Sequence, residues 1–154
     1  MGDYPRPVNR RFHSCFGAQQ FRRFLVKRTH FVGSSKDDLS EFPEPVKLEI
    51  GFAIYLAQSG VKALNAVPLV GFGNASTLEI ISDNDGDTYR AVYTVKFKRA
   101  VYVLHAFKKK SASGISTPQK EIDLVKRRLK QAQAHYEKQY GKDVRHSNVK
   151  PKER

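Results

Sequence analysis

The chain is poor in the residues that support several common chemistries. Cys15 is its only cysteine, so no intrachain disulfide can form and a reducing compartment fits. Tryptophan is absent and methionine occurs once. Long apolar runs are missing as well. The longest, residues 50–57, is far too short to span a membrane, and the basic N-terminal stretch lacks the apolar core of a signal peptide. A cytoplasmic protein with no membrane partner is the expectation. Acidic residues are scarce: 15 stand against 28 basic ones, for a formal net charge of +13. Such an excess favours a polyanionic partner, usually nucleic acid, over a merely soluble basic protein.

What is present suffices for one domain of 154 residues with a proper core, since 40% of the residues are apolar. Residues 87–110, DTYRAVYTVKFKRAVYVLHAFKKK, organise it. Residues 89–97 and 100–107 are rich in Val, Tyr and Phe and alternate in character, as paired strands do. A two-residue loop at Lys98-Arg99 pairs Phe97 with Ala100 and sets Arg90 opposite Phe107. Arg90, Val92, Thr94 and Lys96 then share a face with Val101, Val103, His105, Phe107 and Lys109. The opposite face, with Tyr89, Ala91, Tyr93, Val95, Tyr102 and Leu104, reads as the core side, which leaves Arg90 facing solvent. A three-residue loop reverses this parity.

Residues 1–25 show no clear period. Arg6, Arg10, Arg11, Arg22 and Arg23 alternate with Phe12, Phe16, Phe21 and Phe24, a pattern that suits RNA stacking and phosphate contact or an inert leader. Residues 27–32 read as a first strand ended by Gly33. Ser34 or Ser35 caps a short helix with Asp37 and Asp38 in its first turn. After Pro43 and Pro45 a second helix presents Val46, Ile50, Ala53 and Ala57 on one face and ends at Gly60. A short strand is expected near residues 68–70. Gly71-Phe72-Gly73-Asn74 reads as a flexible turn, because no Lys-Ser or Lys-Thr pair follows it. Residues 77–82 form a strand, and Asp85-Gly86 a hairpin turn; Thr88 stands where a calcium loop needs glycine. In the last helix Thr117 is the cap and Pro118 the first residue. Its apolar stripe is Ile122, Val125, Leu129, Ala132 and Tyr136, with Lys126, Arg127, Arg128 and Lys130 over the remainder. Residues 141–154 read as a polar, basic, disordered tail.

The five histidines show no metal-ligand spacing, and no nucleophile sits on a recognisable elbow. The remaining chemistry is cationic: Arg90, His105, Lys108, Lys109 and Lys110 gather at neighbouring strand ends. Arg and Lys can stabilise charge gathering on a phosphate while His moves protons, so attack by an RNA's own 2′-hydroxyl is within reach without metal or cofactor. The same residues also describe a solvated basic edge that only binds RNA.

The segments FVGSSKDDL (31–39), EIGFAIYLAQSG (49–60), VPLVGFGNASTLEI (67–80), TYRAVYTVKF (88–97), VYVLHAFKKKS (101–111) and TPQKEIDLVKRRL (117–129) occur in an order that resembles the phage-derived RelE/HigB-like toxins. The resemblance covers residues 26–136. It implies an α+β fold: an antiparallel sheet with an N-terminal helical hairpin and a C-terminal helix. It implies a toxin domain at residues 26–140, flanked by a basic leader (1–25) that is dispensable for folding and a basic tail (141–154). The implied activity is that of a type II toxin, a ribosome-dependent mRNA endoribonuclease needing no metal and neutralised by a small helix-turn-helix antitoxin. By the same resemblance Arg90 is the phosphate-binding arginine, His105 the strand-end histidine, and Lys109 and Lys110 the following basic pair. Lys96, Lys108, Lys126, Arg127 and Arg128 are then expected to hold RNA. Ile81 departs from the wider family, which often has a basic residue there.

Overall fold

A computed structural model describes residues 26–72, 75–109 and 117–141. The leader, the basic tail, Lys110, and the Gly73-Asn74 half of the glycine turn lie outside the described residues. The fold is the α+β arrangement expected. Five strands, β1 (Arg28–Phe31), β2 (Ala66–Pro68), β3 (Thr77–Asn84), β4 (Asp87–Thr94) and β5 (Ala100–Lys109), form one sheet in the order β1-β5-β4-β3-β2. Every pairing is antiparallel except that of β1 with β5. Helices α1 (Ser35–Ser40) and α2 (Glu44–Gln58) lie between β1 and β2 in sequence, and α3 (Gln119–Tyr140) follows β5.

Local chemistry accounts for the joints. Asp85 (φ 53°) and Gly86 (φ 83°) both adopt the left-handed conformation that a tight hairpin demands, so β3 turns straight into β4. Gly60 (φ 80°) ends α2 as a C-terminal glycine should. α2 buries Val46, Ile50, Ala53 and Ala57, the face expected, together with Ile54. These pack with Phe42, Leu78, Ile80, Tyr89, Ala91, Tyr93, Val101 and Val103.

Both sheet faces are covered, which corrects the expected open face. α3 buries Val125, Ala132 and Tyr136 against Val92, Phe97, Ala100, Tyr102 and Leu104. The hairpin between β4 and β5 also differs from the expected one. Arg90 does lie opposite Phe107 and Val92 opposite His105, but Tyr93 then pairs with Val103. Leu104 is the extra residue of a β-bulge, residues 95–99 make the connection, and Phe97 does not pair with Ala100. The bulge swaps the faces beyond it. Val101 and Val103 turn to the α2 side, while Tyr102 and Leu104 join His105 on the α3 side.

At the C-terminal end of α3 an aromatic cluster closes the second core. Tyr102 stacks on His30 and its hydroxyl meets His135 Nδ1 at 2.8 Å. Burial, with Tyr140 and Tyr136 nearby, pushes the Tyr102 hydroxyl up to about 12. Burial, and then the neighbouring His135 and Arg28, lowers the pKa of His30.

Candidate functional site

The side chains with the most chemistry meet where the first turn of α3 crosses β3, β4 and β5. Two linked groups form there. In the first, Arg90 Nη1 donates to Glu79 Oε2 at 3.0 Å and to the Thr117 hydroxyl at 3.0 Å. That hydroxyl in turn donates to Glu79 Oε1 at 2.7 Å. Both charged side chains are only 5% exposed. Arg90 is therefore part of a buried ion pair and not solvent-facing, because α3 covers the face that a one-sided sheet leaves open. Thr117 does not cap α3 with its side chain; Pro118 occupies the cap position, and the Thr117 hydroxyl is drawn to the buried carboxylate.

The second group surrounds His105, which is 7% exposed. Its Nε2 lies 2.6 Å from Glu121 Oε2, and its Nδ1 lies 3.1 Å from Arg128 Nη1. A guanidinium only donates, so Nδ1 accepts and the ring proton sits on Nε2, donated to Glu121. Arg128 also donates to the Leu104 carbonyl at 3.0 Å and to the Ser34 hydroxyl at 2.7 Å, and Ser34 donates to Asp38 Oδ2 at 2.8 Å. Phe107 stacks on the imidazole at 5.1 Å and 20°. Gly33 is what lets Arg128 come this close: its φ is 58°, and a Cβ there meets the guanidinium at 3.0 Å.

The structure brings some of the expected site residues together and separates others. Arg90 and His105 stand on adjacent strands beneath one turn of α3, tied to it through Thr117 and Glu121. Lys109, half-buried, pairs with Thr88 at the end of β5. Lys108 turns to the other side, where it pairs with Asp87 at 2.5 Å and lies over the Tyr89 ring. The Asp87 hydrogen bond is the main reason its pKa is raised. Lys96, exposed, reaches Gln133 of α3 at 2.9 Å, and Lys126 and Arg127 are exposed on α3. Arg128, expected as a surface contact, instead points inward to His105. Lys110 lies outside the described residues.

Sequence reasoning missed Glu79, Glu121, Asp38 and Ser34 as members of the site. The signal for Glu79 was its position among Leu78, Ile80 and Ile81 in the strand TLEIIS, where an acidic residue needs a partner. Among the described residues no group of three or more His, Cys, Asp or Glu side chains is arranged to hold a metal ion. Nor is any described helix long and apolar enough to cross a membrane.

The family model described as phage-derived protein Gp49-like (DUF891) matches residues 37–130, more than half of the chain. The chain belongs to the phage-derived Gp49-like family. This family is associated with toxin–antitoxin systems of the RelE-like kind. The Gp49-like match runs from α1 into α3 and so contains Glu79, Arg90, His105, Glu121 and Arg128. No match was found among curated proteins or among solved structures.

Proposed function

We propose that this Gp49-like chain is the toxin of a type II toxin–antitoxin pair, a RelE/HigB-like endoribonuclease that cuts mRNA on the ribosome. The observation that carries this reading is the His105–Glu121 hydrogen bond, held by Arg128 under the first turn of α3 on a strongly basic chain. Glu121, with its side chain 28% exposed, is the open end of that pair. It takes the 2′-hydroxyl proton as O2′ bonds to phosphorus, while His105 fixes the carboxylate's orientation. Lys109 and Lys110 balance the charge gathering on the phosphate, and an ammonium protonates the 5′ oxygen as the P–O5′ bond breaks. Arg90 is a positioning residue in this scheme, since it anchors Glu79 and Thr117 and so sets the start of α3. Lys96, Lys126 and Arg127 hold RNA backbone, and a helix-turn-helix antitoxin neutralises the protein.

A second reading has its own support. Both nitrogens of His105 are engaged and Arg90 is buried in its pair with Glu79, the pattern of a structural network in a protein that binds RNA or the ribosome without cutting. Single-turnover cleavage on programmed ribosomes separates the two. Glu121→Gln is expected to slow cleavage by roughly a hundredfold or more while ribosome association stays near wild type. Equal rates for wild type and Glu121→Gln contradict the proposed base.

A further inference from the structure

α2 has two apolar faces, and the sheet covers only one. Opposite the buried stripe, Leu48 is 66% exposed, Phe52 62% and Tyr55 55%, and Val61 and Leu64 extend the patch beyond the helix end. A soluble helix normally turns charge outward, so this second stripe calls for a partner. Two charges of α2 are already committed, whereas Lys62, between Val61 and Leu64 beyond the helix end, is exposed. Lys47, the one basic residue of α2, pairs with Glu44 at 2.8 Å. Glu49 accepts from Asn65 at 3.0 Å and from the Ser82 hydroxyl. On a chain of net charge +13, the stripe from Leu48 to Tyr55 carries no lysine or arginine of its own, and it is a place where two such chains can meet with few opposing cations.

The stripe is also symmetric about its own centre. Gly51 is exposed, with nothing within 4 Å of where its Cβ would stand. Leu48 lies as far before the Gly51–Phe52 step as Tyr55 lies after it. Two such helices crossing antiparallel at that step set Leu48 against Tyr55 of the second copy and seat each Phe52 ring on the opposite Gly51. Each Phe52 then faces the other copy's Gly51, the reciprocal pairing of an isologous contact.

We propose that the outer face of α2 docks a second copy of this chain, antiparallel, about a two-fold axis through the Gly51–Phe52 step. α3 covers the opposite sheet face, so docking leaves the His105 site and the basic side chains of α3 open on both copies. The large side chains bury on the order of 800 Å² across the pair, below the range of a permanent dimer, so the association is weak and reversible.

Sedimentation equilibrium of the full chain under reducing conditions tests this. The expected mass rises from monomer near about 1 µM to dimer by about a few hundred µM. Added salt shifts the balance toward dimer, because it screens repulsion between two basic chains. Phe52→Glu should remain monomeric throughout with an unchanged melt. Gly51→Leu should also remain monomeric while melting higher, since leucine is the better helix former and fits the single chain freely. A wild-type chain that stays monomeric throughout overturns the proposal and gives the face to another segment of the chain or to a different protein. So does a Gly51→Leu chain that dimerises as well as wild type.

Discussion

Replacing Arg90 with alanine removes the cation from a pair whose two side chains are each 5% exposed. Glu79 is then left buried with the Thr117 hydroxyl as its remaining donor at 2.7 Å. Breaking such a pair from one side costs about 3–5 kcal/mol, most of it the desolvation of the abandoned charge. That is a large share of the roughly 5–15 kcal/mol by which a domain is stable, and it lowers the melting temperature by about 10 °C. Denaturant titration with a constant slope measures it. The companion variant is the decisive control. Arg90→Met together with Glu79→Leu removes both charges and keeps much of the volume, so it should recover most of the loss. A loss below about 1 kcal/mol for Arg90→Ala refutes the buried-pair account and returns Arg90 to the surface. Activity of any Arg90 variant has to be compared per folded molecule, since a drop in total activity follows from unfolding alone.

Other outcomes follow from the same geometry. His30 has a pKa lowered from 6.5 by burial, His135 and Arg28, so the unfolded chain takes up its proton first. Stability should therefore fall as pH drops below about 6.5, and His30→Phe should flatten that dependence in urea titrations. Gly33→Ala forces a Cβ against Arg128 at a positive φ and should cost about 1–2 kcal/mol, detectable by thermal melting, with ring NMR shifts of His105 as the local reporter. Lys126→Gln and Arg127→Gln, on the exposed side of α3, should leave the melt unchanged. Each should weaken RNA association and flatten its salt dependence by about one phosphate contact. Retention of the full salt slope in the double variant removes α3 from the RNA surface.

Much of the fold was legible because single-residue rules act locally. The Val46–Ile50–Ala53–Ala57 spacing could only be one helix face, and Asp85-Gly86 supplied the positive φ angles that the β3–β4 hairpin needs. Arg90 does face Phe107, but not through the two-residue loop expected: the connection is longer, and the bulge at Leu104 offsets it. That bulge was not legible, because inserting one residue changes no local preference yet reverses the faces of Val101 and Val103. Coverage of the second face was hidden for a related reason. β4 mixes Arg90 and Thr94 with Val92, and only tertiary contact shows that Glu79 and Thr117 satisfy that arginine. The pairing of β1 with β5 and the inward turn of Arg128 likewise depend on contacts between distant segments.

The central claim is that this Gp49-like chain cuts mRNA by transfer to its 2′-hydroxyl. The most direct measurement is the end chemistry of transcripts incubated with purified protein and programmed ribosomes. The account predicts discrete cuts within the translated region, each leaving a 2′,3′-cyclic phosphate upstream and a 5′-hydroxyl downstream. Ribosome-bound protein with every transcript intact contradicts it, as do cuts that leave 5′-phosphates.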